Sequence, residues 1–289
     1  MIAFQRPAAG LQLARHDGAG AAQHDRTRVE PNSDVRDAPV VVLTYAHSGA
    51  ARLQSLLAPH PGLACTSGTG ILPLCEQAAV AWRMADDRDG MTLSPLALAS
   101  VRALATGIIT SMLIRTGKRR WCELATASPV SAETFLQIYP GTRFVCLHRS
   151  CPDMVYAALH ASPWGLAGPA FAPFTATHPG SAVAALTAYW AAHAGPLVTF
   201  EESHPAVCHR VRYEDLTGGS RASALFAFLG MEIPGAGMPG AHDASDNTAE
   251  PGAAGCATPI PAGQIPPQLL AQANDLAGKL GYPPLAPIQ

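Results

Sequence analysis

The sequence predicts an α/β fold, a parallel β-sheet flanked by helices, from three observations. Residues 39–45 (Pro-Val-Val-Val-Leu-Thr-Tyr) form a β-branched run suited to a central strand buried on both faces. Ser48-Gly49 then turns the chain into a helix. Residues 142–148 (Thr-Arg-Phe-Val-Cys-Leu-His) form a second strand of the same kind, with a helix leaving it at Pro152. Elsewhere strand patterns alternate with helical ones, which implies parallel strands joined by right-handed crossovers.

Residues 1–37 mix Gly, Ala, Arg, Asp and His without periodicity and read as a disordered tail before a single domain over 38–289. A helix from Ala50 to Ala58 ends near Pro59-His60-Pro61-Gly62, and two more span 74–86 and 94–115. Arg120 to Leu124 reads as a short strand, and Val130 to Tyr139 as a helix capped by Ser128-Pro129. A helix over 152–161 precedes a Pro/Gly-rich stretch, 163–180, whose Trp164, Phe171 and Phe174 suggest a substrate-side loop or lid. A long helix over 182–202, a strand over 207–213 and a helix over 221–229 closed by Gly230 follow. Residues 234–261 read as irregular, and a final helix runs from Gln268 to Leu280.

The 289 residues are 48% hydrophobic and 14% charged, enough for a substantial core. A formal net charge of −2 gives no basis for nucleic-acid or anionic-membrane partners, so an anionic ligand must be held by local groups. The seven cysteines are scattered without a C-x-x-C pair and read as buried thiols of a cytoplasmic protein. No signal peptide, membrane span or metal-ligand spacing is expected; His160, His178, His193, His204 and His209 receive no role.

A hydrophobic strand, a Ser-Gly turn and a helix make an oxyanion cradle, because backbone N–H groups and the helix dipole converge on the turn. The Walker pattern G-x-x-x-x-G-K-[ST] is absent, which argues against an ordinary P-loop NTPase. Five segments in order then carry a resemblance. The strand, turn and helix end over 41–62 resemble the phosphosulfate loop and "HPG" of sulfotransferases. Trp121-Cys122-Glu123-Leu124-Ala125 is similar to their "WGEKTP", and residues 143–153 to their "RFIHLVRDPRD". Val211 to Leu216 is similar to "VRYEDL", and Phe228-Leu229-Gly230 to "FLGL". The tail from Ile265 to Pro283 resembles members from natural-product pathways.

That resemblance implies a P-loop-NTPase-like sulfotransferase fold and the donor 3′-phosphoadenosine 5′-phosphosulfate (PAPS). It implies a donor site at His47, Ser48, Gly49, Arg52, Arg149 and Tyr213, with His47 and Glu123 as weak catalytic candidates. Against the family pattern P-[RK]-S-G-[TS]-[TS], the turn reads Ala46-His47-Ser48-Gly49-Ala50-Ala51, so the cation is a histidine and two hydroxyls are methyls. His47 either protonates beside an anion or caps the strand. The sulfate lysine aligns with Leu124, the "GEET" base segment with Thr66-Ser67-Gly68-Thr69, the 3′-phosphate serine with Ala157, and a late Gly-Arg-Gly with Gly255-Cys256-Ala257. Glu123 is read as a residue that orients loops, and Tyr213 either lies near adenine or packs in the core. Arg52 can swing toward an anion, and Lys118-Arg119-Arg120 reads as a solvated turn.

Three lost charged contacts weaken binding by roughly three to six orders of magnitude. The expectation is therefore an eroded PAPS site, with no cofactor or only residual binding of PAPS or 3′-phosphoadenosine 5′-phosphate (PAP). The chain is then a non-catalytic or repurposed subunit in bacterial natural-product biosynthesis. It stabilises a partner protein or handles a sulfated intermediate whose sulfate leaves. The alternative is an active PAPS-dependent sulfotransferase acting on a hydroxyl of a small molecule.

Overall fold

A computed structural model describes residues 38–86, 92–126, 128–161, 166, 168–217, 219–233 and 260–285. The readings placed on 1–37, on Trp164 and on 234–259 lie outside these residues. Five strands, β1 (Val40–Leu43), β2 (Leu63–Ser67), β3 (Arg120–Ala125), β4 (Arg143–His148) and β5 (Cys208–Arg212), make one parallel sheet in the order β2-β3-β1-β4-β5. Between them lie α1 (Ala50–Leu57), α2 (Ile71–Ala85), α3 (Pro95–Thr116), α4 (Pro129–Ile138), α5 (Cys151–Ala161), α6 (Ala172–Thr177) and α7 (Ala182–Ser203). The helices α8 (Gly219–Leu229) and α9 (Pro267–Lys279) follow the last strand.

All four residues of β1 are buried, as a strand covered on both faces requires. Side chains alternate across the sheet, so Val40 and Val42 join Leu53, Leu57, Val145, Leu225 and Leu229 under α1 and α8. Val41 and Leu43 join Trp121, Phe135, Phe144 and Phe200 under α2, α3, α4 and α7. A third cluster packs Met154, Leu186, Trp190, Ala273 and Leu276 between α5, α7 and α9.

The helices start and stop where the sequence places their signals. The Ser94, Ser128 and Ser181 hydroxyls cap α3, α4 and α7 by accepting from the third backbone N–H onward. At α5, Ser150 Oγ accepts from Asp153 N and donates to the Asp153 carboxylate at 2.6 Å, a reciprocal capping pair. Strand β2 has no counterpart in the sequence reading. Its cysteine, threonine and serine give no apolar run, and parallel pairing with β3 supplies the register.

One correction concerns charge: of the basic triplet read as a solvated turn, only Arg119 is exposed. Lys118 Nζ donates to the carbonyls of Ala58 (3.1 Å) and Leu63 (2.8 Å), while Arg120 is 2% exposed and bonds the carbonyls of Ala38 and Leu229. Both residues satisfy chain ends at the amino end of β3, opposite the turn after β1. Helix α3 is long and apolar enough to cross a membrane by length and composition, with a mean hydropathy of 1.7 over a window of which 22% is buried. Here it lays Ala97, Val101, Ala105 and Ile109 on the core and turns Leu96, Leu104 and Ile114 outward.

Candidate functional site

Strand β1 sits between β3 and β4, and its turn leads to α1 on one face of the sheet. The turn after β3 leads to α4 on the other face. A crevice therefore opens at the carboxyl ends of β1 and β3, the place where open α/β sheets bind ligands.

The turn is folded by its own hydroxyls and by aromatic neighbours. Ser48 is fully buried, its Oγ bonded to Thr44 Oγ1 rather than turned to solvent. Ser48 N donates to the Tyr45 carbonyl at 3.2 Å. His47 stands at φ 60 and Gly49 at φ 92, both left-handed. For a histidine this is an uncommon conformation, held here by a stack on Phe171 at 5.9 Å and by Arg149 Nη1 donating to its carbonyl at 3.0 Å. Ala46 N donates to the Tyr189 hydroxyl at 3.0 Å, so an inward backbone donor of the turn is occupied by the protein itself.

Arg149 lies at the end of β4 with no solvent exposure. Its guanidinium rests 4.2 Å from the ring centre of Tyr213, a cation–π contact. The same ring covers Gly49 so closely that a Cβ there would lie 2.0 Å from Tyr213 Cδ2. Tyr45 meets the Arg149 backbone, and Trp190 Nε1 adds a bond to the Arg149 carbonyl at 3.0 Å. Burial raises the Tyr45 phenol well above its ordinary pKa.

Behind this cluster, Glu214 accepts from Ser150 N and from the Tyr282 hydroxyl, both at 2.9 Å. Burial, then the charge of Glu214, raises the Tyr282 phenol strongly. Arg212 forms a forked pair with Asp215 at 2.9 and 3.1 Å, and its Nη1 reaches the Gly281 carbonyl. The segment after α9 is thereby fastened to the turns after β4 and β5.

His47, Ser48, Gly49, Arg149 and Tyr213 thus come together as one cluster. Arg52 does not join it; it is exposed on α1. Glu123 is also separate, buried with its carboxylate accepting from Thr66 Oγ1 (2.5 Å), Thr69 N (2.8 Å) and Thr69 Oγ1 (2.9 Å). It fixes the loop between β2 and α2. Ala157, aligned with the 3′-phosphate serine, is buried in α5, and 255–257 lie outside the described residues. Phe171, from the stretch read as a lid, is buried between His47 and Tyr189. Sequence reasoning missed Tyr45 and Tyr189 as partners of the turn. Their alternation with apolar residues marks them only as core tyrosines.

Fold and site define an α/β protein with a strand–turn–helix crevice at the switch point of a five-stranded parallel sheet. The model of the sulfotransferase family matches residues 39–235, and the chain belongs to that family. The fold is also that of the sulfotransferase domain from the curacin biosynthetic pathway, at 14% identity and a TM-score of 0.56 over 85% of this chain and 98% of that one. The sulfotransferase domain from the Synechococcus PCC 7002 olefin synthase is similar at 16% identity and a TM-score of 0.51, over 85% and 96% of the two chains. A search of curated proteins returns no match.

Proposed function

We propose that this sulfotransferase-family protein does not use PAPS for sulfuryl transfer and serves a biosynthetic pathway as a non-catalytic or repurposed subunit. The observation that carries the reading is the position of Arg149. The guanidinium aligned with the family's 3′-phosphate ligand has no solvent exposure, lies on Tyr213 and bonds the His47 carbonyl. An arginine committed to internal partners is a poor ligand for a phosphate arriving from solvent.

The rest of the turn supports the same reading. Tyr213 covers Gly49, where a donor phosphate would approach, and Ala46 N is engaged by Tyr189. Leu124 and Ala51 bring no charge or hydroxyl to the sulfate. The residues present therefore do not fit PAPS, and no transfer step is derived through it. The pathway setting rests on likeness to the curacin-pathway domain. A partner protein from the same pathway would cover the apolar side chains that α2 and α3 turn outward, Met84, Leu96 and Ile114. The pocket at the switch point would hold a pathway intermediate, such as one whose sulfate leaves.

Calorimetric titration with PAP tests the donor half of the reading. The expected result is no heat of binding up to millimolar PAP; a micromolar dissociation constant overturns it. Co-expression with neighbouring pathway proteins tests the partner half, which is lost if the chain purifies alone from every pairing.

A further inference from the structure

Strand β2 is an edge of the sheet, and its parallel pairing with β3 sets Cys65 directly opposite Cys122. The two cysteines are far apart in sequence and meet only through this register. Both belong to the cluster under α1 and α8, where Cys122 is buried and Cys65 half-buried beside it. Neighbouring strands stand about 4.8 Å apart, inside the Cα range of roughly 4.4–6.8 Å that a disulfide spans. The thiols on β4 and β5 do not meet this condition. Cys208 is paired with Phe144, and Cys146 with Arg210. That offset of two residues puts their Cα atoms roughly 8 Å apart, too far for a bridge without moving the backbone.

The surroundings divide the labour between the two thiols. Cys122 hydrogen-bonds to Cys65 and lowers its pKa; burial opposes this, and the Lys118 ammonium adds to the lowering. Lys118 is held there by its bond to the Leu63 carbonyl on the same strand. Cys65 and burial raise Cys122 well above the ordinary thiol value. Burial also pushes Cys75 up to about 11 and Cys151 up to about 12. The thiolate is the form that reacts, so oxidation starts at Cys65 on the open edge and Cys122 resolves it.

We propose that Cys65 and Cys122 form a redox modification site, at which hydrogen peroxide oxidises Cys65 and Cys122 closes a reversible disulfide between β2 and β3. In the first step the Cys65 thiolate attacks one peroxide oxygen. An S–O bond forms, the O–O bond breaks and hydroxide leaves; the sulfur loses two electrons and the peroxide gains them. The Cys122 sulfur then attacks the Cys65 sulfur. The S–S bond forms as the S–O bond breaks, and the departing hydroxide takes the Cys122 proton and leaves as water. Two external thiols, such as two glutathione molecules, reverse the bridge by exchange. Side chains of paired strands stand nearly perpendicular to the sheet, so their Cβ atoms lie farther apart than the roughly 3.8 Å of a relaxed bridge. A strained bridge is readily reduced, the property of a regulatory disulfide rather than a structural one.

Closure draws β2 toward β3 at the residue pair next to Thr66 and Glu123, whose carboxylate also holds Thr69. The redox state is thereby passed to the loop between β2 and α2. No sulfate donor or partner protein takes part, so this site goes beyond the preceding reading and does not rest on it.

The test exposes the reduced full chain to stoichiometric hydrogen peroxide, alkylates it and maps its peptides by mass spectrometry without reductant. The expected product is one cross-linked pair joining Cys65 to Cys122. Alkylation of both is lost together and regained after dithiothreitol, while Cys146 and Cys208 stay alkylatable. In Cys122→Ser the sulfenic acid persists on Cys65 and is captured by dimedone; in Cys65→Ser the Cys122 thiol stays reduced. Hydrogen exchange over 66–71 should differ between the oxidised and reduced protein, and identical exchange overturns the link to the loop. Undiminished alkylation of Cys65 and Cys122 overturns the site itself. So does a bridge from Cys65 to any other cysteine, or closure of Cys146 with Cys208 first. The map of the parent protein decides the matter even if a variant fails to fold. PAP titration reads the donor site alone, so micromolar PAP binding would overturn the preceding proposal and leave this one standing.

Discussion

The hydroxyl of Tyr45 and the backbone of Arg149 hold each other reciprocally. The phenol accepts from Arg149 N at 2.9 Å and donates to the Arg149 carbonyl at 3.1 Å. Two neighbouring parallel strands, β1 and β4, are thus locked at their carboxyl ends by one side chain.

Tyr45→Phe keeps the ring and strands Arg149 N in a buried site, while the carbonyl retains Trp190 Nε1. The expected cost is about 1–3 kcal/mol, the penalty of one buried unmade hydrogen bond. Thermal unfolding reads it as a fall of roughly 2–4 °C per kcal/mol. An unchanged melting temperature would remove Tyr45 from the framework of the turn.

The same phenol sets the response to alkali. Burial raises Tyr45 and Tyr282 in the folded chain above the ordinary value of about 10. A raised folded pKa means stability is fully present below about pH 10 and declines as pH rises beyond it, because only the unfolded chain ionises easily. Tyrosinate absorbance and far-ultraviolet circular dichroism, followed together above pH 10, should show these two phenols ionising only with unfolding. Ionisation of all six tyrosines before any loss of structure contradicts this.

Gly49 is required by its φ of 92 and by the Tyr213 ring, which would lie 2.0 Å from a methyl group at that position. Gly49→Ala should therefore destabilise by more than the roughly 1–2 kcal/mol of a left-handed alanine alone. Tyr213→Ala should relieve the excess, so the double variant is more stable than the sum of the single ones. Urea denaturation of all four proteins closes the cycle, and strict additivity would show that ring and glycine do not meet.

The sheet was legible wherever apolar runs exceed the strand length, as in 39–45 and 142–148, because burial on both faces leaves no room for polar residues. Strand β2 escaped because Cys65, Thr66 and Ser67 are half-buried or exposed at the sheet's edge, where pairing with β3 rather than composition specifies the strand. Lys118 and Arg120 misled because a charge run is read as solvated, whereas their bonds go to carbonyls from distant parts of the chain. The grouping of His47, Ser48 and Gly49 could be read from the strand, turn and helix pattern around them. That Arg149 faces inward depends on Tyr213, far along the chain, which no local pattern encodes.

Glu123 should matter to a loop rather than to proton transfer. Its buried carboxylate takes three hydrogen bonds from Thr66 and Thr69. Glu123→Gln removes the charge and turns an acceptor into a donor facing donors, so a loss of about 2–4 kcal/mol is expected. Hydrogen exchange should localise the effect to 66–71 and leave the amides of 45–52 protected as before. Deprotection of the turn as well would place Glu123 in the same unit as the turn.

Arg149 separates a structural from a ligand-binding role. Its contact with Tyr213 and its bond to the His47 carbonyl are both made out of water, where each counts most. Arg149→Met keeps the length and loses both, and should destabilise by roughly 3–5 kcal/mol. Arg149→Lys keeps the charge but not the planar fork, and should retain part of that stability. Neither variant should alter the response to PAP, since the guanidinium has no exposed surface for a phosphate to reach. A protein whose PAP affinity falls tenfold or more in Arg149→Lys, while its melting temperature stays within a degree or two of the parent, would show that Arg149 turns outward to bind phosphate in solution.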